Sequence, residues 1–89
     1  MADDRVTIHD SDMSCDMKQN ATTYALLAVD QCQDKNDIAT FIKKKFDSKY
    51  GGAWQCIAAR NVGYSISNEP NTFIFLQIED NWILLFKSH

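Results

Sequence analysis

The side chains able to do catalysis or bind metal are few and scattered. Cys15, Cys32 and Cys56 could serve as nucleophiles or thiolate ligands, His9 and His89 as bases or ligands, and Asp47 and Glu79 as an acid and a base. A zinc site draws on Cys and His at short, repeated intervals. Here the two histidines stand near opposite termini and no CxxC pair occurs. Cys56, between Trp54 and Ala58 on a strand-like run, reads as a small buried hydrophobe rather than a nucleophile. A thiol-based redox regulator using Cys56 or Cys32 would need a depressed thiol pKa. Asp47 and Glu79 read as solvated carboxylates, because nothing apolar at fixed spacing would raise one of them for proton transfer. Gly51 and Gly52 lack the other residues of a phosphate-cradling loop. The chain is therefore expected to hold no catalytic residue, no metal and no cofactor.

Composition points to one packed domain. At 89 residues the chain can bury roughly 60 to 65 per cent of its unfolded surface, so a lone monomer would be marginal. Hydrophobic residues make up 45%, with three glycines and one proline, which is the make-up of a globular domain rather than a linker. A net charge of -3 gives no electrostatic footprint for nucleic acid or an anionic membrane. The acidic start MADDRVTIHD carries no secretory apolar segment, and Ile83 to Phe86 is too short to span a bilayer. A soluble, intracellular protein with reduced thiols is expected, neither binding nucleic acid nor inserting into a membrane.

The elements that must position these residues follow from periodicity. Asp12 or Ser14 can cap a first helix whose Met17, Ala21, Tyr24, Ala25, Ala28 and Cys32 share one face, with Leu26 unaccounted for on the other side. Asp34 or Asn36 can cap a second helix, with Asp37 in its positive first turn, a buried stripe of Ile38, Phe41, Ile42, Phe46 and Tyr50, and lysines 43, 44, 45 and 49 toward its C-terminal half. Those lysines read as a solvated face, and Gly51-Gly52 ends the helix. Strands are predicted over Trp54–Asn61, Val62–Asn68, Thr72–Ile78 and Trp82–Lys87, with a turn at Asn68 to Asn71 and a hairpin turn at Glu79-Asp80-Asn81. A strand near Val6 to His9 carries only a weak signal. The runs FIFL and WILLF call for cover on both faces of their strands, the helices on one and a second copy of the chain on the other.

Val62 to Asn68 alternates Val62, Tyr64 and Ile66 against Gly63, Ser65 and Ser67. At a sheet edge its backbone could pair with an extended peptide, Gly63 allowing close approach. Alternatively Gly63 marks a bulge in an internal strand. Residue physics leaves both open.

SDMS at Ser11 to Ser14, DIA from Asp37, IKKKFDSKY from Ile42, W-x-C-I from Trp54, RN-x-G from Arg60, FI at Phe73 and ILLFKS from Ile83 occur in an order that resembles the small homodimeric dynein light chains across the whole chain. The resemblance implies an α+β fold, two helices packed on a five-stranded antiparallel sheet, in a strand-exchanged homodimer. It implies a non-catalytic hub, cytoplasmic and associated with the microtubule cytoskeleton through dynein. Its partners would be dynein intermediate chain and other proteins with short linear motifs, their dimerisation promoted by bivalency. A hub or cargo adaptor working outside dynein is the alternative. In such proteins a peptide with a central Gln adds to the exchanged strand while the Gln side chain caps the second helix. Carried to this chain, the receiving strand is Asn61, Val62, Gly63, Tyr64, Ser65, Ile66, Ser67 and Asn68, the cap falls at Asn36 and Asp37, and Phe73, Phe75 and Leu84 line the pocket. The dimer interface would take Gln55, Ile57, Arg60, Tyr64 and Ser88.

The chain also departs from the family. Lys35-Asn36 stands where Glu-Lys is usual, Tyr64-Ser65 reverses the usual Ser-Tyr, Gln77 replaces an aromatic, Trp82 replaces a small residue, and Gln55 stands where many relatives carry histidine. The binding mode is expected to persist with an altered motif preference.

Overall fold

The computed structural model describes residues 5–60 and 70–87. Within them the chain runs β1 (Val6–Ser11), α1 (Cys15–Gln31), α2 (Lys35–Tyr50), β2 (Trp54–Ala59), β3 (Ile74–Ile78) and β4 (Asn81–Lys87). The four strands form one antiparallel sheet in the order β1-β3-β4-β2, and both helices pack on one of its faces. The strand expected at Val62–Asn68, the fifth of the expected sheet, lies outside the described residues. No helix among the described residues is long and apolar enough to cross a membrane.

Local chemistry explains both helices. Ser14 is the N-cap of α1, its Oγ accepting the Met17 N–H at 3.3 Å, with Asp16 in the positive first turn. Ala21, Ala25 and Ala28 are its buried residues, and their small size lets α1 lie close to α2. Leu26, unplaced by the periodicity, is half-buried against the same core, while Leu27 is the exposed leucine. Of the two candidates at the second helix, Asp34 is the N-cap, accepting the Asn36 N–H at 2.7 Å, and Asn36 falls in the first turn. Ile38, Ile42 and Phe46 are buried at i, i+4 and i+8. Gly51 ends α2 at φ 71°, and Gly52 follows at φ 94°, where a Cβ would run into the Lys87 side chain.

Asp47 and Trp54 join α2 to β2. One Asp47 oxygen accepts the Trp54 backbone N–H at 3.0 Å and the other accepts from Lys43 at 2.6 Å, while the Trp54 indole N–H donates to the Gly51 carbonyl at 3.1 Å. Phe46 then packs edge-on against Trp54 and Tyr24, at ring separations of 4.8 and 5.8 Å. Ile74, Leu76 and Ile78 of β3 and Ile83 and Leu85 of β4 complete this core.

The strand ends differ from expectation where side chains cap or pair. β2 stops at Ala59 rather than Asn61, and β3 starts at Ile74 rather than Thr72. Asn81 pairs with Ile78, so the hairpin turn is only Glu79-Asp80, with Glu79 at the positive φ of 56° that tight hairpin turns demand. The weak strand at Val6 to His9 is real and longer, reaching Ser11 along β3.

Candidate functional site

The face of the sheet away from the helices carries its own apolar chemistry. Strand pairing sets Ile57 beside Leu84 and Leu84 beside Phe75, while Ala59 adjoins Trp82 and Trp82 adjoins Gln77. Phe73, Phe75 and Leu84 form one buried cluster, with Trp82 and Phe86 packed against it. The three pocket residues expected from the resemblance are thus brought together. Leu84 is only 1% exposed without a second copy. Beside it Ile57 stays 47% exposed on β2, an edge strand among the described residues.

Asp12 and Ser11 hold Phe73 in that cluster. Asp12 Oδ1 accepts the Phe73 N–H at 2.8 Å, Oδ2 accepts the Asn71 N–H at 3.1 Å, and the Asp12 N–H donates to the Phe73 carbonyl at 3.1 Å. The same carbonyl accepts Ser11 Oγ at 2.9 Å, and that oxygen accepts the Met13 N–H. The SDMS segment therefore does three jobs within four residues, because Ser14 caps α1 as well.

The other predicted site residues are dispersed. Asn36 and Asp37 are exposed in the first turn of α2, where the leading N–H groups have no intrahelical acceptor. Asp34 already engages Asn36, and the adjoining Lys35 ammonium donates to Asn81 Oδ1 at 2.7 Å. Beside this start, Cys32, Lys35, Ile38, Arg60 and Glu79 line an open cleft of about 560 Å³. Gln55 is exposed on β2, and Arg60 is exposed just past its end. Residues Asn61 to Asn68 and Ser88 lie outside the described residues.

Among the described residues no group of three His, Cys, Asp or Glu side chains could hold a metal ion. Burial pushes the Cys56 thiol up to about 12, the reverse of what a thiolate nucleophile needs. Asp47 is held below the usual carboxylate range by the Lys43 hydrogen bond first and the Trp54 N–H second. It is a structural tie.

Sequence periodicity missed one constellation on the outer face. His9 of β1 stacks on Trp82 of β4 and bonds to Gln77 of β3. Its only sequence signal was the pair of departures at Gln77 and Trp82, since His9 lies on the weakly marked strand.

Comparison with known proteins fits this geometry. Residues 5–88 match the family model described as Dynein light chain type 1. A "Dynein light chain" of Schistosoma mansoni is 39% identical over 88 residues, covering 99% of each chain. Among solved structures, the dynein light chain-like domain of a Fasciola hepatica calcium binding protein superposes with a TM-score of 0.83 at 21% identity, over 100% of this chain and 97% of that one. The DLC-like domain of CsTAL3 does so at 0.79 and 13% identity, over 97% and 95%. At those identities the two structures attest the fold.

Proposed function

The chain belongs to the dynein light chain family, a family of non-enzymatic structural and adaptor proteins, and from that premise we propose that it works as a homodimer gripping short linear peptides by β-strand addition. The observation that carries the reading is the second apolar face, where Phe73, Phe75 and Leu84 are assembled on the side of the sheet opposite the helices. The peptide adds along Asn61 to Asn68, with Gly63 admitting its backbone, and its alternate side chains reach the Phe73/Phe75/Leu84 cluster. A central Gln side chain accepts from the start of α2, at Asn36 and Asp37, competing with Asp34 for the Asn36 N–H. Helix α2 covers the inner face of its own sheet, so a peptide touching both the outer face and a helix start takes that helix from a second copy. Gln55, Ile57, Arg60, Tyr64 and Ser88 supply the contact between the copies.

Dynein intermediate chain is the proposed partner, along with other proteins carrying Gln-centred motifs, and two grooves in one dimer promote pairing of the partners. The site of action is the microtubule-bound dynein complex. For Cys56 a thiol-regulator role is disfavoured, because burial pushes its thiol up to about 12. Calorimetric titration with a peptide centred on Thr-Gln-Thr tests the reading, together with sedimentation at micromolar protein. A dimer binding one peptide per protomer is expected. A stable, well-folded monomer, or a dimer blind to every such peptide, overturns it.

A further inference from the structure

Strand β1 does not run evenly along β3. Its register slips between Ile8 and Asp10, which makes His9 the extra residue of a β-bulge. Bulges on edge strands re-aim one side chain. Here the redirected imidazole lies across the outer face, stacked on the Trp82 indole with ring centres 4.9 Å apart and planes 8° from parallel, and 5.4 Å from the Phe75 ring. Trp82 and Phe75 are themselves 5.5 Å apart, so three strands contribute one ring each to a closed triangle. The Gln77 side chain sits beside it. Its Nε2 donates to the Glu79 carbonyl at 2.8 Å, which turns its Oε1 toward His9 Nε2 at 2.9 Å and makes that nitrogen the donor. The cluster is thereby anchored to the β3–β4 turn.

We propose that His9, Gln77 and Trp82 form a preassembled wall closing the end of the peptide groove next to the β3–β4 turn, so that the partner segment must carry a small side chain at the position lying over Trp82. The inference rests on the reading of the outer face as a peptide groove and names the selectivity of that groove. Trp82 is the specificity-determining residue. His9 and Gln77 are positioning residues that hold the indole flat, since moving it aside breaks two ring contacts at once. An apolar site rejects a side chain too large for it by excluding it sterically, on the scale of about 10- to 200-fold per group.

The test scans Ala and Leu through each position flanking the Gln of a Thr-Gln-Thr peptide, using the full-length protein. Wild type is expected to prefer Ala over Leu by about tenfold or more at one position on one side of the Gln, and Trp82→Ala to bring that Ala-to-Leu affinity ratio to about one, whatever the variant's absolute affinity. His9→Ala should erode the preference and shift one of the two indole N–H resonances, whereas His9→Phe, which keeps the stack, should restore both. Peptides that bind wild type and Trp82→Ala with the same Ala-to-Leu ratio at every position overturn the wall but leave the groove standing. No binding by either protein to any peptide overturns the groove and the wall with it. Trp82 is only half-buried, and a circular dichroism spectrum and melting transition matching wild type confirm that the variant is folded.

Discussion

Asp12 ties the start of β3 to the beginning of the chain, and removing its carboxylate should be felt far beyond its exposed position. Asp12→Ala deletes the acceptors of two backbone N–H groups, Phe73 at 2.8 Å and Asn71 at 3.1 Å, but keeps the Asp12 N–H donation to Phe73. The Phe73 bond is partly buried and has a charged acceptor, which sets its worth at about 1.5–3 kcal/mol. Asn71 is exposed, so its N–H returns to water and loses well under about 1 kcal/mol. The expected cost is about 2–3 kcal/mol, a large share of the roughly 5–15 kcal/mol that stabilises a domain. At this chain length it corresponds to a fall in melting temperature of roughly 10–20 °C. Asp12→Asn keeps one oxygen and loses the charge, so about half the cost should remain. Urea unfolding at one fixed protomer concentration measures this, with an unchanged m-value showing that the folded state is intact. Because Phe73 belongs to the outer-face cluster, peptide affinity should fall in the Ala variant as well. An Ala variant within about 0.5 kcal/mol of wild type would refute the reasoning, since that is the scale of an inert surface change.

Phe46→Ala removes the ring on which Tyr24, Tyr50 and Trp54 meet, and should cost about 3–5 kcal/mol in the same assay; a loss below about 1 kcal/mol would mean that the core closes over the gap. Asp47 is depressed in the folded state, so its stabilisation is present above its unfolded value of about 4 and is lost as pH falls through the lower folded value. Asp47→Asn should therefore flatten the acid limb of stability, and parallel limbs for the two proteins would contradict it. Cys56, with its thiol pushed up to about 12, should resist iodoacetamide in the folded protein while exposed Cys15 reacts; equal rates by mass spectrometry would count against the burial. Gln55 is exposed on β2 and does not titrate, so the proposed dimer's dissociation constant should change by less than about tenfold, roughly 1.4 kcal/mol, between pH 7 and 5. Gln55→His should weaken in acid, and sedimentation showing wild type dissociating as readily would place any acid switch elsewhere.

Much of the fold is written in short stretches of chain. Ile38, Ile42 and Phe46 repeat at the helical spacing, Asp34 and Gly51 bracket them, and α2 runs between those two residues. The apolar runs of β3 and β4 foretell strands covered on both faces, and Ile74, Ile83, Leu84 and Leu85 are all buried, the outer-face Leu84 without the second copy that the pattern called for. The motifs from SDMS to ILLFKS carry the family resemblance in the chain order alone. Strand β1 was faint because its residues are mostly exposed, so no alternation of buried and solvated positions marks it. It exists by pairing with β3 near the opposite end of the sequence.

What the sequence determined alone is the kind of each element and the family it serves, because a repeat of apolar side chains and a capping residue act through backbone geometry over one or two turns. Tertiary structure decided which of those side chains meet. Asp12 reaches Asn71 and Phe73, His9 reaches Trp82 across β3, and Leu84 of the proposed groove becomes buried beside Phe75. Such meetings depend on strand register, and a slip of one residue turns a side chain to the other face of the sheet. The bulge at His9 is a slip of that kind, fixed by the pairing of β1 with β3 rather than by any preference of its neighbours in the chain.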